Sequence, residues 1–111
     1  MSGKFEIRKN KKGQYNFNLL STNGKVILIS VLYETKKKTY SGLKLVKKYS
    51  GLDSSYQRLI SDKTNPYFVL KAANGHIIAK SKIYSSVAGM AKGISSVKIN
   101  ATSTVIKDLT I

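Results

Sequence analysis

The sequence predicts an α+β protein. It reads as two tandem β-β-β-α repeats plus a closing C-terminal strand, forming one continuous, mainly antiparallel sheet with two helices on one face. Three observations carry this reading. The chain matches itself without a gap at a shift of 51 residues. Each copy contains apolar residues alternating with polar ones, the period-two signature of a half-buried strand. Each copy then closes on a segment whose apolar residues recur at helical spacing.

The self-match keeps turn residues and core residues in register together. Phe17 and Leu19 fall on Phe68 and Leu70, Asn23-Gly24 on Asn74-Gly75, Ser30 and Tyr33 on Ser81 and Tyr84, Gly42 on Gly93, and Val46-Lys47 on Val97-Lys98. Phe5 and Ile7 alternate with Lys4, Glu6 and Arg8 as a first strand, and Lys9 to Gly13 is a polar turn. Tyr15, Phe17 and Leu19 mark a second strand. Asn23-Gly24 is suited to a two-residue type I′ turn, and Val26 to Leu32 returns as a third. Residues 67–70, Asn74-Gly75 and 77–83 repeat the hairpin.

Thr35 and Ser86 are expected N-caps, since a hydroxyl can accept from the free amides of a first helical turn. Thr39, Leu43, Val46 and Ser50 in one copy, and Met90, Ile94, Val97 and Ala101 in the other, mark the buried helix sides. Gly42 and Gly93 inside these helices predict a close approach to the sheet. Residues 104–109 read as the final strand, placed for the second repeat as 55–60 are for the first. One unit of this length has a marginal core. Residues 1–111 are therefore expected to form one domain with repeats 4–51 and 55–111, a monomer that is internally a pseudo-dimer.

The run from Tyr67 to Gly75, Ser81, Tyr84-Ser85-Ser86 and Gly93 to Ala101 resembles the YegP-like family of small tandem-repeat proteins. The first repeat keeps Phe17, Leu19, Asn23, Gly24, Ser30, Tyr33, Gly42, Val46 and Lys47. It departs at Leu20-Ser21-Thr22 and in its lysine-rich helix. The resemblance implies two β3-α-β units that build one sheet and exchange their final strands. It implies no activity.

Charge is the other strong signal. The 111 residues hold 20 Lys+Arg against 5 Asp+Glu, a net +15. Residues 1–51 carry 12 of the cations and only 2 of the acids. On a helical wheel Lys36, Lys37, Lys44, Lys47 and Lys48 share one sector with Tyr40. Like charges on one stripe repel, and a polyanion would relieve them. The plain alternative is a solvated outer face. Hairpin register places Tyr67, Lys71, Lys80 and Lys82 on the sheet face opposite Phe68, Leu70, Ile77, Ala79 and Ile83. Such a face could stack bases and neutralise phosphates. The matching face of the first repeat carries Leu20, Ile27, Ile29 and Val31, more apolar than an open face should be. That points to a cover: the tail, a second protomer or another protein. A one-residue register error would swap these faces.

Lysine outnumbers arginine 18 to 2, which suits sequence-independent backbone contact rather than base reading. An AT-rich coding bias would also favour lysine, although it leaves the shortage of acids unexplained.

Catalytic material is sparse. There is no Cys, and His76 is the single His, expected to be exposed beside its turn. No two of Glu6, Glu34, Asp53, Asp62 and Asp108 lie within four residues of each other. No metal site, cofactor or nucleophilic triad is indicated. Residues 1–8 lack the apolar segment of a secretory signal. The longest apolar run, Val26 to Ile29, is far too short to span a bilayer. The expected location is cytoplasmic. A basic amphipathic helix could adhere to an anionic membrane, but its apolar side is needed for the core, so no membrane partner is expected. The expectation is a non-enzymatic binding module, sequence-independent for nucleic acid, with protein interaction through the apolar sheet face as the alternative.

Overall fold

The structure is a computed structural model in which residues 3–61 and 64–111 are described. Met1, Ser2, Asp62 and Lys63 lie outside them. The elements are β1 (Lys4–Lys9), β2 (Tyr15–Leu20), β3 (Val26–Ser30), α1 (Lys36–Tyr49), a short 3-10 turn (Asp53–Ser55), β4 (Tyr56–Ser61), β5 (Asn65–Lys71), β6 (Ile77–Lys80), α2 (Val87–Asn100) and β7 (Ile106–Asp108). One seven-stranded sheet runs in the order β4-β5-β6-β3-β2-β1-β7. Each pairing is antiparallel except the parallel β1–β7 pair.

The two repeats meet edge to edge at β3 and β6, through Ile29–Lys80 and Ser30–Ala79, with Val31 N–H donating to the Ile78 carbonyl at 3.1 Å. The helices lie over this seam. α1 packs on β2, β5 and β6, and α2 on β2, β3 and β5, so each helix bridges strands of both repeats. One core results, including Phe5, Phe17, Leu28, Leu43, Val46, Phe68, Leu70, Ala79, Ile94 and Val97. Its aromatic pairs repeat: Phe5 meets Phe17 edge-on at 6.0 Å, and Tyr56 meets Phe68 at 5.6 Å.

The caps are where the sequence places them. Lys38 N–H donates to Thr35 Oγ1 at 3.1 Å, and Gly89 N–H to Ser86 Oγ at 3.0 Å. The buried helix residues are also the expected ones, with Asn100 added at the end of α2. The helical glycines have a specific neighbour. A Cβ on Gly42 would collide with the Tyr33 hydroxyl, and one on Gly93 with the Tyr84 hydroxyl. Each tyrosine is its own repeat's connection laid against its own helix. Burial raises the pKa of both phenols above the usual tyrosine value.

Three expectations need correction. First, the hairpin loops are three residues long. Ser21 N–H donates to Lys25 O and Gly24 N–H to Ser21 O, with Gly24 at φ 83°. Ala72 to His76 does the same, with Gly75 at φ 86°. Leu20 therefore pairs with Val26, and a bulge at Ile27 restores the Leu19–Leu28 register. A matching bulge at Ile78 follows the Lys71–Ile77 pair. Between turn and bulge the faces swap. Ile27 and Ile78 enter the core, while Ile77 is exposed on the open face beside Lys71.

Second, β3 and β6 stop at Ser30 and Lys80 rather than reaching Leu32 and Ile83. Ser30 Oγ accepts from Phe17 N–H and Ser81 Oγ from Phe68 N–H, and each hydroxyl donates to the next carbonyl. The side chain replaces the ladder's backbone acceptor and interrupts the regular ladder, and backbone pairing resumes only at the Tyr15–Tyr33 bridge in the first repeat and through Tyr84 N–H to the Pro66 carbonyl in the second. Leu32 and Ile83 are exposed, and Ile83 is not on the core face.

Third, β7 does not take the place that β4 holds. β4 pairs antiparallel with β5, whereas the corresponding place beside β2 is filled by β1, so β7 pairs parallel outside it. The tail thus extends the sheet edge and does not cover the open face. The last strands are still exchanged, because α1 leads to the edge beside the second hairpin and α2 to the edge beside the first.

Gly93→Ala should lower stability by about 1–2 kcal/mol in urea denaturation. Displacing Tyr84 from its stack on Phe68 outweighs the roughly 1 kcal/mol that alanine contributes to a helix. Adding Tyr84→Phe should recover part of the loss, because the colliding hydroxyl is gone.

Candidate functional site

The lysines expected to form one stripe on α1 separate into two groups. Lys36 and Lys47 are engaged by the C-terminal segment. Lys36 Nζ lies 2.8 Å from Asp108 Oδ2, and Lys47 Nζ donates to the Ser103 carbonyl while lying 5.3 Å over the Phe5 ring. Tyr40 is half-buried and packs against the core. Lys37, Lys44 and Lys48 are exposed, with no carboxylate within ion-pair distance among the described residues, although Lys48 Nζ lies 5.4 Å over the ring of its neighbour Tyr49.

Lys47 has a counterpart. Its repeat partner Lys98 pairs with Asp53 and lies 5.9 Å over the Tyr56 ring, the partner of Phe5. A lysine capping the same core aromatic in both repeats belongs to the fold, and its recurrence at Val46-Lys47 and Val97-Lys98 was the signal in the sequence. Lys37, Lys44 and Lys48 correspond to Ala88, Ser95 and Ile99. The fold does not require a cation at those places.

The sheet face opposite the helices holds Tyr67, Lys71 and Lys80, with Lys80 Nζ 5.1 Å over the Tyr67 ring. Lys82 does not join them. Beyond the end of β6 its ammonium lies 5.3 Å over Tyr84, and it lines a groove beside α2. Of the four apolar residues expected to be open here, Ile29 and Val31 are exposed. Leu20 is buried at 6% exposure, and the bulge carries Ile27 into the core. Ile29, Val31, Leu59, Tyr67, Val69, Ile77 and Lys80 line one hollow at the seam between repeats. The structure thus joins the Tyr67–Lys80 end of the basic face to the remaining apolar pair. It leaves the α1 stripe on the other side of the sheet. Ile77 was missed because no residue pattern marks the bulge.

Three of the five acids, Glu6, Asp53 and Asp108, are held in ion pairs. Glu6, only 8% exposed, sits between Arg8 at 3.0 Å and Lys4 at 3.7 Å. The Lys36 ammonium and two hydrogen bonds from Thr110 hold the Asp108 carboxyl down at about 2. The Asp53 carboxyl is likewise lowered by Lys98. His76 is exposed. Among the described residues no three His, Cys, Asp or Glu side chains gather, and no helix is long and apolar enough to cross a membrane.

The architecture defines a tandem-repeat α+β protein with one helix-covered and one open sheet face. The family model described as a domain of unknown function (DUF1508) matches residues 10–56 and 61–108, two segments that begin 51 residues apart. The chain belongs to this family. It is 46% identical over 109 residues to UPF0339 protein YegP of Yersinia pestis, covering 98% of this chain and 97% of that one. It is also 46% identical over 110 residues to a UPF0339 protein of Acinetobacter baylyi, covering 99% of each. The solution NMR structure of a UPF0339 protein from Shewanella oneidensis superposes with a TM-score of 0.93 at 42% identity, over 98% of this chain and 92% of that one. The NMR structure of yegP from Escherichia coli gives 0.93 at 38%, over 98% and 94%.

The Asp108–Lys36 pair ties β7 to the first turn of α1. Because the folded carboxyl is held down at about 2, against about 3.9 for a free aspartate, its contribution is full above about pH 5 and is lost progressively, most of it by about pH 2. Asp108→Asn should lower the thermal midpoint at pH 6, and the gap from the parent protein should close by pH 2. A constant gap across that range would assign the effect to something other than this carboxylate.

Proposed function

We propose that the protein is a non-enzymatic module that binds nucleic acid without sequence preference, through the exposed stripe Lys37, Lys44 and Lys48 of α1. One observation carries this reading. These ammonium groups crowd one exposed side, no acid neutralises them among the described residues, and the second repeat builds the same helix without them. Two cations in the last turn favour the helix dipole, which accounts for Lys47 and Lys48 but not for Lys37 and Lys44. Flexible ammonium groups suit phosphates at varied spacing. The non-enzymatic part is supported by the dispersal of Glu6, Asp53 and Asp108 into separate ion pairs with lysine or arginine.

The sheet face contributes less to this reading than its composition suggests, because Lys80 already occupies the ring of Tyr67. A second reading, a protein-interaction module, rests on exposed Ile29 and Val31; a narrower form of it follows below.

Fluorescence anisotropy with labelled single-stranded DNA and RNA tests the proposal. Three phosphate contacts on a single strand predict a roughly 20-fold loss of affinity between 50 and 200 mM salt. Changing Lys37, Lys44 and Lys48 together to Gln should flatten that dependence and leave the fold intact. Absence of binding at 50 mM salt, or an unchanged salt slope in the triple variant, would overturn it.

A further inference from the structure

The hollow at the seam combines features that the charge argument does not use. It has a volume of about 530 Å³, within the roughly 300–1,000 Å³ of small-ligand sites. Its walls are Ile29, Val31, Leu59, Val69 and Ile77, with Tyr67 and a single charged side chain, Lys80. Val69 forms the floor at 3% exposure, while Ile29 and Ile77 stand nearly half exposed at the rim. Lys71, opposite Ile77 in the β5–β6 register, adds a second cation on the same face. Among the described residues no carboxylate lines the hollow.

The fold does not impose this composition. The first-repeat counterparts of Leu59, Tyr67 and Val69 are Arg8, Asn16 and Asn18, all polar. At these three positions the second repeat is apolar where the first is polar, and at Ile29 and Val31 the order is reversed, their counterparts being Lys80 and Lys82. The bulge that both repeats share, at Ile78 here and at Ile27 in the first, turns Ile77 out onto this face.

We propose that this hollow binds a small amphipathic carboxylate, an aliphatic body with one anionic head, of the medium-chain fatty-acid type. The chain would lie on Val69 between Ile29, Val31 and Leu59. The head would take the Lys80 ammonium from the face of Tyr67, exchanging a cation–π contact for a charge-assisted hydrogen bond. Charge selects this occupant over a second copy of the chain. Among the described residues the open face carries Lys4, Arg8, Lys71 and Lys80 against one acid, Glu6, which is already paired, so two such faces repel. The site lies across the sheet from the α1 stripe and does not depend on nucleic-acid binding.

The experiment is titration of the full chain with decanoate, and separately with decyltrimethylammonium of equal chain length, followed by amide NMR. Decanoate should give saturable shifts at Ile29, Val31, Leu59, Tyr67, Val69, Ile77 and Lys80. The cation should bind at least about tenfold more weakly, and Lys80→Gln should weaken decanoate by about tenfold. Val31→Glu, at an exposed position, should abolish binding while the remaining spectrum stays folded. Equal affinity for the cation, shifts confined to α1, or no effect of Lys80→Gln would overturn the proposal. So would failure of decanoate to bind alongside capture of a protein that Val31→Glu abolishes, which would assign the face to protein docking. The Lys37, Lys44 and Lys48 triple variant should bind decanoate normally, so failure of one proposal is distinguishable from failure of the other.

Discussion

The seam between β3 and β6 is the constraint on which the molecule depends. It is short, with two residue pairs in register and one further backbone hydrogen bond. So short a ladder would not hold two three-stranded units together in water. It is sustained from the helix side, where α1 and α2 each cover strands of both repeats and close a common core around Phe17, Leu28, Phe68 and Ala79. The hydrophobic effect is non-directional, but the seam gives it a geometry. Helices that cross from one half to the other can only bury their apolar sides if the halves stay joined. Folding of either repeat is thereby coupled to folding of the other.

The same arrangement explains how so basic a chain remains compact. Three of its five carboxylates sit where a lysine or arginine can be held. Glu6 is clasped between two cations on β1, Asp53 meets Lys98, and Asp108 fastens the last strand to α1 through Lys36. Other lysines lie over aromatic rings, where the ammonium keeps its hydration on one side and meets the negative face of the ring on the other. On the outer side of α1, Lys37 and Lys44 have neither an acid nor a ring partner among the described residues, and Lys48 meets only the exposed side of Tyr49.

Duplication also shows where the repeats diverged. Phe5 and Tyr56, Tyr33 and Tyr84, Gly42 and Gly93, and Lys47 and Lys98 keep their contacts in both halves, so they are the requirements of the unit. Departures from symmetry fall on the outside of α1 and on the open face. There the first repeat presents Arg8, Asn16 and Asn18, and the second presents Leu59, Tyr67 and Val69. Positions free of structural demand are those at which a surface can acquire chemistry.

Sequence alone determined the repeat, the caps, the buried helix sides and the α+β class. All of these depend on local spacing: 51 residues between copies, two along a strand, three or four along a helix. It also showed that Lys47 recurs, although its role was legible only once Phe5 lay beneath it. Tertiary structure alone decided the bulges at Ile27 and Ile78, because an extra residue in a ladder leaves no mark on alternating hydrophobicity. It decided the early end of β3 and β6, because a serine that replaces a backbone acceptor looks like any other serine. It likewise set the parallel place of β7 and the separation of the α1 lysines into bound and free. Each of these follows from which distant segment arrives alongside, a matter of pairing across the sheet that no local pattern encodes.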